Sequence, residues 1–140
     1  MITDKFKLKL IAPDGVKYEE EASELSLPTP DGEIIVLAHH TPLITSLKPG
    51  EIVIRNGSIE HHLATEGGIA EIGDNMVKIL ADTAENADSL DELKIIAARH
   101  AAEERIANAQ NTVEFTEATI MLEKQLARLN VLQKRKKYHK

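Results

Sequence analysis

No glycine or proline occurs between Asp74 and Lys140, whereas the first 75 residues carry five closely spaced turn signals. These are Asp14-Gly15, Asp31-Gly32, Pro49-Gly50, Asn56-Gly57 and Gly73-Asp74-Asn75. Turn chemistry recurring between short apolar runs is the pattern of a β-sandwich or barrel. A long stretch without either breaker is helical or disordered. The chain therefore changes its physical grammar near residue 85. At 140 residues it can hold one small sandwich plus an appendage, but not two full cores.

The spacing predicts a sandwich over residues 1–84. Phe6, Leu8 and Leu10 alternate with Lys5, Lys7 and Lys9, which makes one strand face dry and the other wet. Leu25 and Leu27 repeat this against Glu24 and Ser26, Ile52 and Ile54 against Glu51 and Val53, and Val77, Ile79 and Ala81 against Lys78 and Leu80. Asn56-Gly57 is the strongest hairpin signal, because a type I′ turn needs positive φ at both central positions. About eight to ten short strands are expected, mostly with antiparallel neighbours.

Residues 85–140 read as a two-helix antiparallel hairpin, giving an α+β chain. Ser89-Leu90-Asp91-Glu92 fits a capping box that opens a first helix from about Leu90 to Ala107. Asn111, with Glu114 three residues on, opens a second helix running to about Lys136, and the short link makes the two helices neighbours. At 100° per residue the second helix carries two apolar stripes. One holds Phe115, Ala118, Leu122, Leu126, Leu129 and Leu132; the other holds Val113, Ile120, Ala127 and Val131. The first helix sets Leu90, Leu93, Ala97 and Ala101 against Ile95, Ala98, Ala102 and Ile106. Two faces per helix imply a second contact surface. The first helix offers mostly Ala, and one buried methyl contributes about 0.8 kcal/mol. The hairpin is therefore expected to be lightly held and able to leave its resting place.

Composition removes several function classes. With no Cys there is no disulfide, thiolate chemistry or Cys-based zinc site. No apolar run approaches the ~18 residues of a spanning helix, and Met1–Lys9 lacks a signal peptide's apolar block. These features lead to the expectation of a soluble, cytoplasmic protein. The adjacent pairs His39-His40 and His61-His62 are poor metal ligands, since strand neighbours point to opposite faces, and no metal is expected. Nucleophile-elbow, phosphate-loop and zinc-protease motifs are absent, so no catalytic centre is expected.

Charge divides with the modules. Residues 1–87 hold 7 Lys/Arg against 15 Asp/Glu, while Lys124–Lys140 holds seven basic residues and no acid. A basic end on an acidic chain suits an acidic partner surface. One reading is a stand-alone binding module whose basic helix contacts nucleic acid or an acidic protein. Two Phe, two Tyr and no Trp argue against base stacking.

A set of segments gives a sharper reading. Ala12-Pro13-Asp14-Gly15, Asp31-Gly32-Glu33, His40-Thr41-Pro42-Leu43-Ile44-Thr45 and Lys48-Pro49-Gly50 occur in order. Glu66-Gly67-Gly68-Ile69-Ala70-Glu71, Leu80-Ala81-Asp82-Thr83-Ala84 and Leu90-Asp91-Glu92 follow. In that order and spacing the chain resembles the epsilon subunit of bacterial and chloroplast F-type ATP synthases over nearly its whole length. The resemblance implies a non-catalytic central-stalk subunit whose sandwich (residues 1–84) sits on the gamma subunit and the c ring. It implies that residues 85–140 switch between a compact and an extended form, the latter reaching the alpha/beta catalytic head and inhibiting ATP hydrolysis. It further implies a peripheral position on the cytoplasmic face of a bacterial membrane, or the stromal side of a thylakoid, with no nucleic-acid partner and no direct membrane span.

The same resemblance assigns residues. Glu33, His40 and Pro42 match positions that contact gamma and the c ring. Lys124, Arg128, Lys134, Arg135, Lys136 and Lys137 are the candidates for the beta subunit. No cofactor is required. ATP is a candidate ligand of the compact hairpin, at Glu85, Asp91, Lys94, Lys124 and Arg128. There the chain departs from the family motif: Lys94 and Lys124 replace Arg, Ile95 replaces Ala, and Ala101 replaces another Arg. Arg grips phosphate through a planar fork, whereas Lys offers a point charge, so the nucleotide site is weakened.

Overall fold

The computed structural model describes residues 4–138; the side chains beyond Lys134 lie outside that description. Nine strands form two sheets among these residues. The first sheet has the order β2 (Gly15–Ala22), β1 (Phe6–Ala12), β9 (Met76–Ala81), β8 (Gly68–Gly73), β5 (Leu43–Leu47). The second has the order β4 (Gly32–Leu37), β3 (Glu24–Thr29), β6 (Gly50–Asn56), β7 (Ile59–Thr65). Every pair is antiparallel except β1 with β9. A 3₁₀ turn (Ala87–Ser89) leads to α1 (Glu92–Ala107) and α2 (Thr112–Tyr138). The expected α+β arrangement, a sandwich followed by a helical hairpin, is the one observed.

Alternation fixes the sandwich core. Leu10, Leu25, Leu27, Ile52, Ile54 and Ile79 are fully buried between the sheets, each contributing roughly 1.5–3 kcal/mol. Ser26 departs from the expected wet face and is buried. It lies in register between Ile35 and Val53 on the central β3. The turns also differ from expectation. Asn56 pairs with Ile59, so the β6–β7 turn is centred on Gly57-Ser58 with positive φ only at Gly57 (63°). Glycine at the first central position is the type II′ preference. The turn with positive φ at both positions is instead Asp74-Asn75, at 51° and 56°. Short Asp and Asn side chains tolerate that region better than other non-glycine residues.

The first helix begins two residues later than expected, and the second begins where expected. Asp91, not Ser89, caps α1, its Oδ1 accepting from Lys94 N at 3.3 Å. Ser89 belongs to the 3₁₀ turn and donates its hydroxyl to Asn86 O. Asn111 caps α2 as expected, accepting from Glu114 N at 2.9 Å, while Glu114 reaches back to Gln110 N. Ile95 of α1 packs with Leu129 and Leu132, and Arg105 meets Met121, so the helices run antiparallel.

The C-terminal half of α2 uses both of its stripes. Ala127 and Val131 rest on Ala64 of β7, and Leu129 and Leu132 face α1. In α1 only one stripe is engaged: Ile95 and Ala102 are buried, while Leu93 is 81% exposed.

Candidate docking surfaces

The outer faces of the two sheets are treated differently. In the first sheet, strand parity sends Ile11, Val16, Leu80 and Ile69 to the outside. Register lines them up across four strands, Val16 opposite Ile11, Ile11 opposite Leu80, and Leu80 opposite Ile69. Val16, Leu80 and Ile69 are 51%, 50% and 50% exposed, and Ile44 on the neighbouring β5 is 73% exposed. The next row is ionic: Glu19, Lys9, Lys78 and Glu71 lie side by side in register. A contiguous apolar row bordered by charges of both signs is the composition of a protein-binding face.

The second sheet's outer face carries acids, and α2 lies over it. Backbone geometry gathers two of them. Ala64 and Glu85 exchange two backbone hydrogen bonds of 2.8 and 2.9 Å, and Glu66 N donates to Thr83 Oγ1, so the chain segments bearing Glu66 and Glu85 run together. Arg128 then donates to both, from Nη2 to Glu66 at 3.0 Å and from Nε and Nη2 to Glu85 at 3.1 and 2.9 Å. Lys124 Nζ stands 3.9 Å from the same Glu66 oxygen. One turn and a half further on, Lys134 donates to Glu51 at 2.7 Å.

Beside Glu51, His62 bridges toward Glu60, and Arg55 joins Glu60 to Glu24. Burial acts to raise the Glu60 carboxyl, but hydrogen bonds from Arg55 and His62 outweigh it and hold the group below the ordinary glutamate range. At the sandwich edge, Tyr18 is pushed up by burial, and its ring meets His61 edge-on at 5.5 Å. Among the described residues no group of three or more His, Asp or Glu side chains is placed to hold a metal ion.

The candidates named from sequence fall in three places. Glu33 is exposed at the start of β4 opposite Pro28, whereas His40 lies past the other end of that strand, so the two are not brought together. His40 instead sits near the β8–β9 turn: neighbouring His39 N donates to Asn75 Oδ1 at 2.8 Å, and Pro42 approaches Gly73. Lys124, Arg128 and Lys134 meet the chain's own sandwich, so the acidic surface sought in a partner is supplied internally in this conformation. The side chains of Arg135, Lys136 and Lys137 lie outside the described residues.

Of the nucleotide candidates, Glu85, Lys124 and Arg128 cluster together, Asp91 is used as a cap, and Lys94 is exposed on α1. The apolar row was missed at the level of sequence. Its signal was present in Leu80, which shares a face with Lys78, and in Ile11 and Ile69, apolar residues adjacent to core positions.

Known proteins match this architecture. The β-sandwich domain of the ATP synthase Delta/Epsilon chain family matches residues 5–87. The ATP synthase epsilon chain of Acidithiobacillus ferridurans is 39% identical over 127 residues, covering 91% of this chain and 90% of that one. That of Syntrophobacter fumaroxidans is 37% identical over 133 residues, covering 95% and 99%. A chain in the Euglena gracilis mitochondrial ATP synthase (OSCP/F1/c-ring, rotational state 1) superposes with a TM-score of 0.79 at 23% identity, covering 93% of this chain and 82% of that one. One in the central stalk/c-ring of the Tetrahymena thermophila enzyme gives 0.54 at 19% identity, covering 85% and 99%. These two structures share the fold. With a sandwich match over more than half its length and relatives 37–39% identical over more than nine-tenths of it, the chain belongs to the ATP synthase epsilon chain family.

Proposed function

We propose that the chain is a non-catalytic central-stalk subunit of an F-type ATP synthase, seated by its sandwich on the gamma subunit and c ring and restraining ATP hydrolysis through its hairpin. The observation that carries this reading is the asymmetry of the sheets: one outer face is covered by α2, and the other presents an uncovered apolar row. The row supplies the area for a permanent partner, assigned here to gamma. Glu33, His40 and Pro42, at the two ends of β4, are assigned to the rim of that contact and to the c ring. The domain boundary is placed between residues 84 and 85, although Glu85 still bridges to Ala64.

The hairpin is the regulatory arm. Its exposed Val113 and Phe115 are free to enter another surface, and release would free Lys124, Arg128 and Lys134, with Arg135, Lys136 and Lys137, for an acidic segment of the beta subunit. ATP is not assigned as a ligand. In the docked form Arg128 and Lys124 are committed to carboxylates, and a phosphate would have to displace them. The location assigned is peripheral, on the cytoplasmic face of a bacterial membrane; no described helix is long and apolar enough to cross one.

Retention of the purified chain on immobilised gamma subunit, against retention on DNA across a salt series, tests the reading. Binding to gamma that survives salt supports it. Retention on DNA alone, falling steeply with salt, would favour the nucleic-acid module instead.

A further inference from the structure

Two basic side chains address one oxygen beneath the docked hairpin. Lys134 Nζ lies 2.7 Å from Glu51 Oε1, and His62 Nδ1 lies 3.4 Å from the same atom. The other carboxylate oxygen, Oε2, is buried with no hydrogen-bond partner among the described residues. Both contacts therefore converge on Oε1, and Glu51 and His62 side chains are each only 13% exposed.

His62 has a second tie, with Nε2 at 2.9 Å from Glu60 Oε1. A neutral imidazole carries one N–H. Placed on Nε2, it satisfies Glu60 and turns the Nδ1 lone pair toward Glu51, whose charge is then left to Lys134. A second proton creates Nδ1–H, which claims Glu51 Oε1 and sets a positive charge next to the ammonium.

We propose that His62 is a proton-operated rival of Lys134 for Glu51, so that protonation of the ring loosens the hairpin from the sandwich. The other titratable groups facing this site are fixed in the sandwich or on the 3₁₀ turn. Glu60 is held by Arg55, which also reaches Glu24, and Lys17, Tyr18, His61 and Asp88 line the adjoining cavity of about 670 Å³. Among the described titratable side chains at this site only Lys134 comes from α2, beside the apolar Val131. With the hairpin away, an imidazolium has Glu51 to itself and shares Glu60 with Arg55 in either state; with the hairpin down, it must also share Glu51 with a like charge. Protonation thus favours release, and docking is strongest while the ring is neutral. The cavity opens beside His62, so protons reach the ring without prior unfolding.

The inference concerns regulation of the arm described above, but its test uses the chain alone and leaves the assignment to a rotor untouched if it fails. The chain has no Cys, so dyes can be placed at Asp31→Cys and Gln133→Cys in the full-length protein. Energy transfer then reports the docked fraction at pH 8.0 and pH 5.5. For two like charges sharing one half-buried oxygen, the docked-to-released ratio is expected to fall roughly fivefold on acidification. His62→Gln keeps an amide donor for Glu60 but cannot gain a charge, so its ratio should stay constant.

Hydrogen exchange of α2 against β3 and β6 separates release from unfolding in every variant. A constant ratio in the unsubstituted chain overturns the proposal. So does a ratio that rises on acidification, or a full pH response retained by His62→Gln.

Discussion

Arg128 closes its guanidinium on Glu85: Nε and Nη2 both donate to Oε1, at 3.1 and 2.9 Å. With its side chain 16% exposed, Arg128 is the best shielded of the described cations that tie α2 to the sandwich. Replacing it with Ala leaves Glu85 without its ion-pair partner and Glu66 with only Lys124, 3.9 Å away. Hydrogen bonds to charged groups contribute ~1.5–3 kcal/mol each in shielded sites, and partial exposure lowers that. The expected cost is about 1–2 kcal/mol of docking free energy, read as faster amide exchange in α2 with β1 and β3 unchanged. Arg128→Lys should fall between the two, because an ammonium cannot fork. Equal protection of α2 in Arg128→Ala and the parent chain would rule out this pair as a clasp.

Leu80→Glu separates binding from folding. The side chain stands on the outer face of β9 and is half exposed, whereas its neighbour Ile79 is fully buried in the core. Surface substitutions away from special features cost within about 0.5 kcal/mol, while Ile→Ala in a core costs about 2–5 kcal/mol. Leu80→Glu should therefore melt within a few degrees of the parent chain and lose its hold on the gamma subunit. Ile79→Ala should show the reverse pattern, with a large fall in melting temperature. Undiminished gamma binding by Leu80→Glu would remove the apolar row from the interface.

The acid limb of stability should run through Glu60. Its carboxyl is held below the ordinary value near 4.5 by Arg55 and His62, against the opposing effect of burial. A group depressed on folding contributes stability that is present above its unfolded pKa and is lost as pH falls through the folded one. Glu60→Gln should therefore be less stable than the parent chain at pH 7, and the difference should shrink by pH 3. Urea midpoints at the two pH values provide the measurement. A difference that grows on acidification would contradict the sign.

The architecture was legible because local chemistry dictates it. Gly and Pro placement separated sandwich from hairpin, and Asn111 with Glu114 marked the start of α2 to the residue. What failed was chemistry that register decides. Asn56-Gly57 looks like a type I′ turn, yet pairing of Asn56 with Ile59 shifts the turn by one residue and passes that geometry to Asp74-Asn75. Ser89 resembles a cap in isolation, but Asn86 recruits it into a 3₁₀ turn and leaves Asp91 to do the capping. The clasp was hidden for a related reason. Arg128 meets partners 62 and 43 residues away, and no spacing rule links a helix to an acidic strand edge that distant. The same basic stripe thus reads equally well as a patch for a foreign surface.

The boundary between modules is itself testable. The main core runs from Phe6 to Ala84 and contains no residue of α1 or α2. Removing residues 88–140 uncovers Ala64 and frees the carboxylates of Glu51, Glu66 and Glu85, but keeps the Ala64–Glu85 bridge. Since the lost apolar contact is mainly Ala and Val against Ala, the remaining sandwich should fold alone in one cooperative transition. Its melting temperature should fall by only a few degrees. It should still bind the gamma subunit, since the apolar row is intact, and the reconstituted ATP synthase should lose restraint on hydrolysis. A fragment with native-like strand content but no cooperative transition would show that the hairpin completes the fold, and that a platform independent of its arm does not exist.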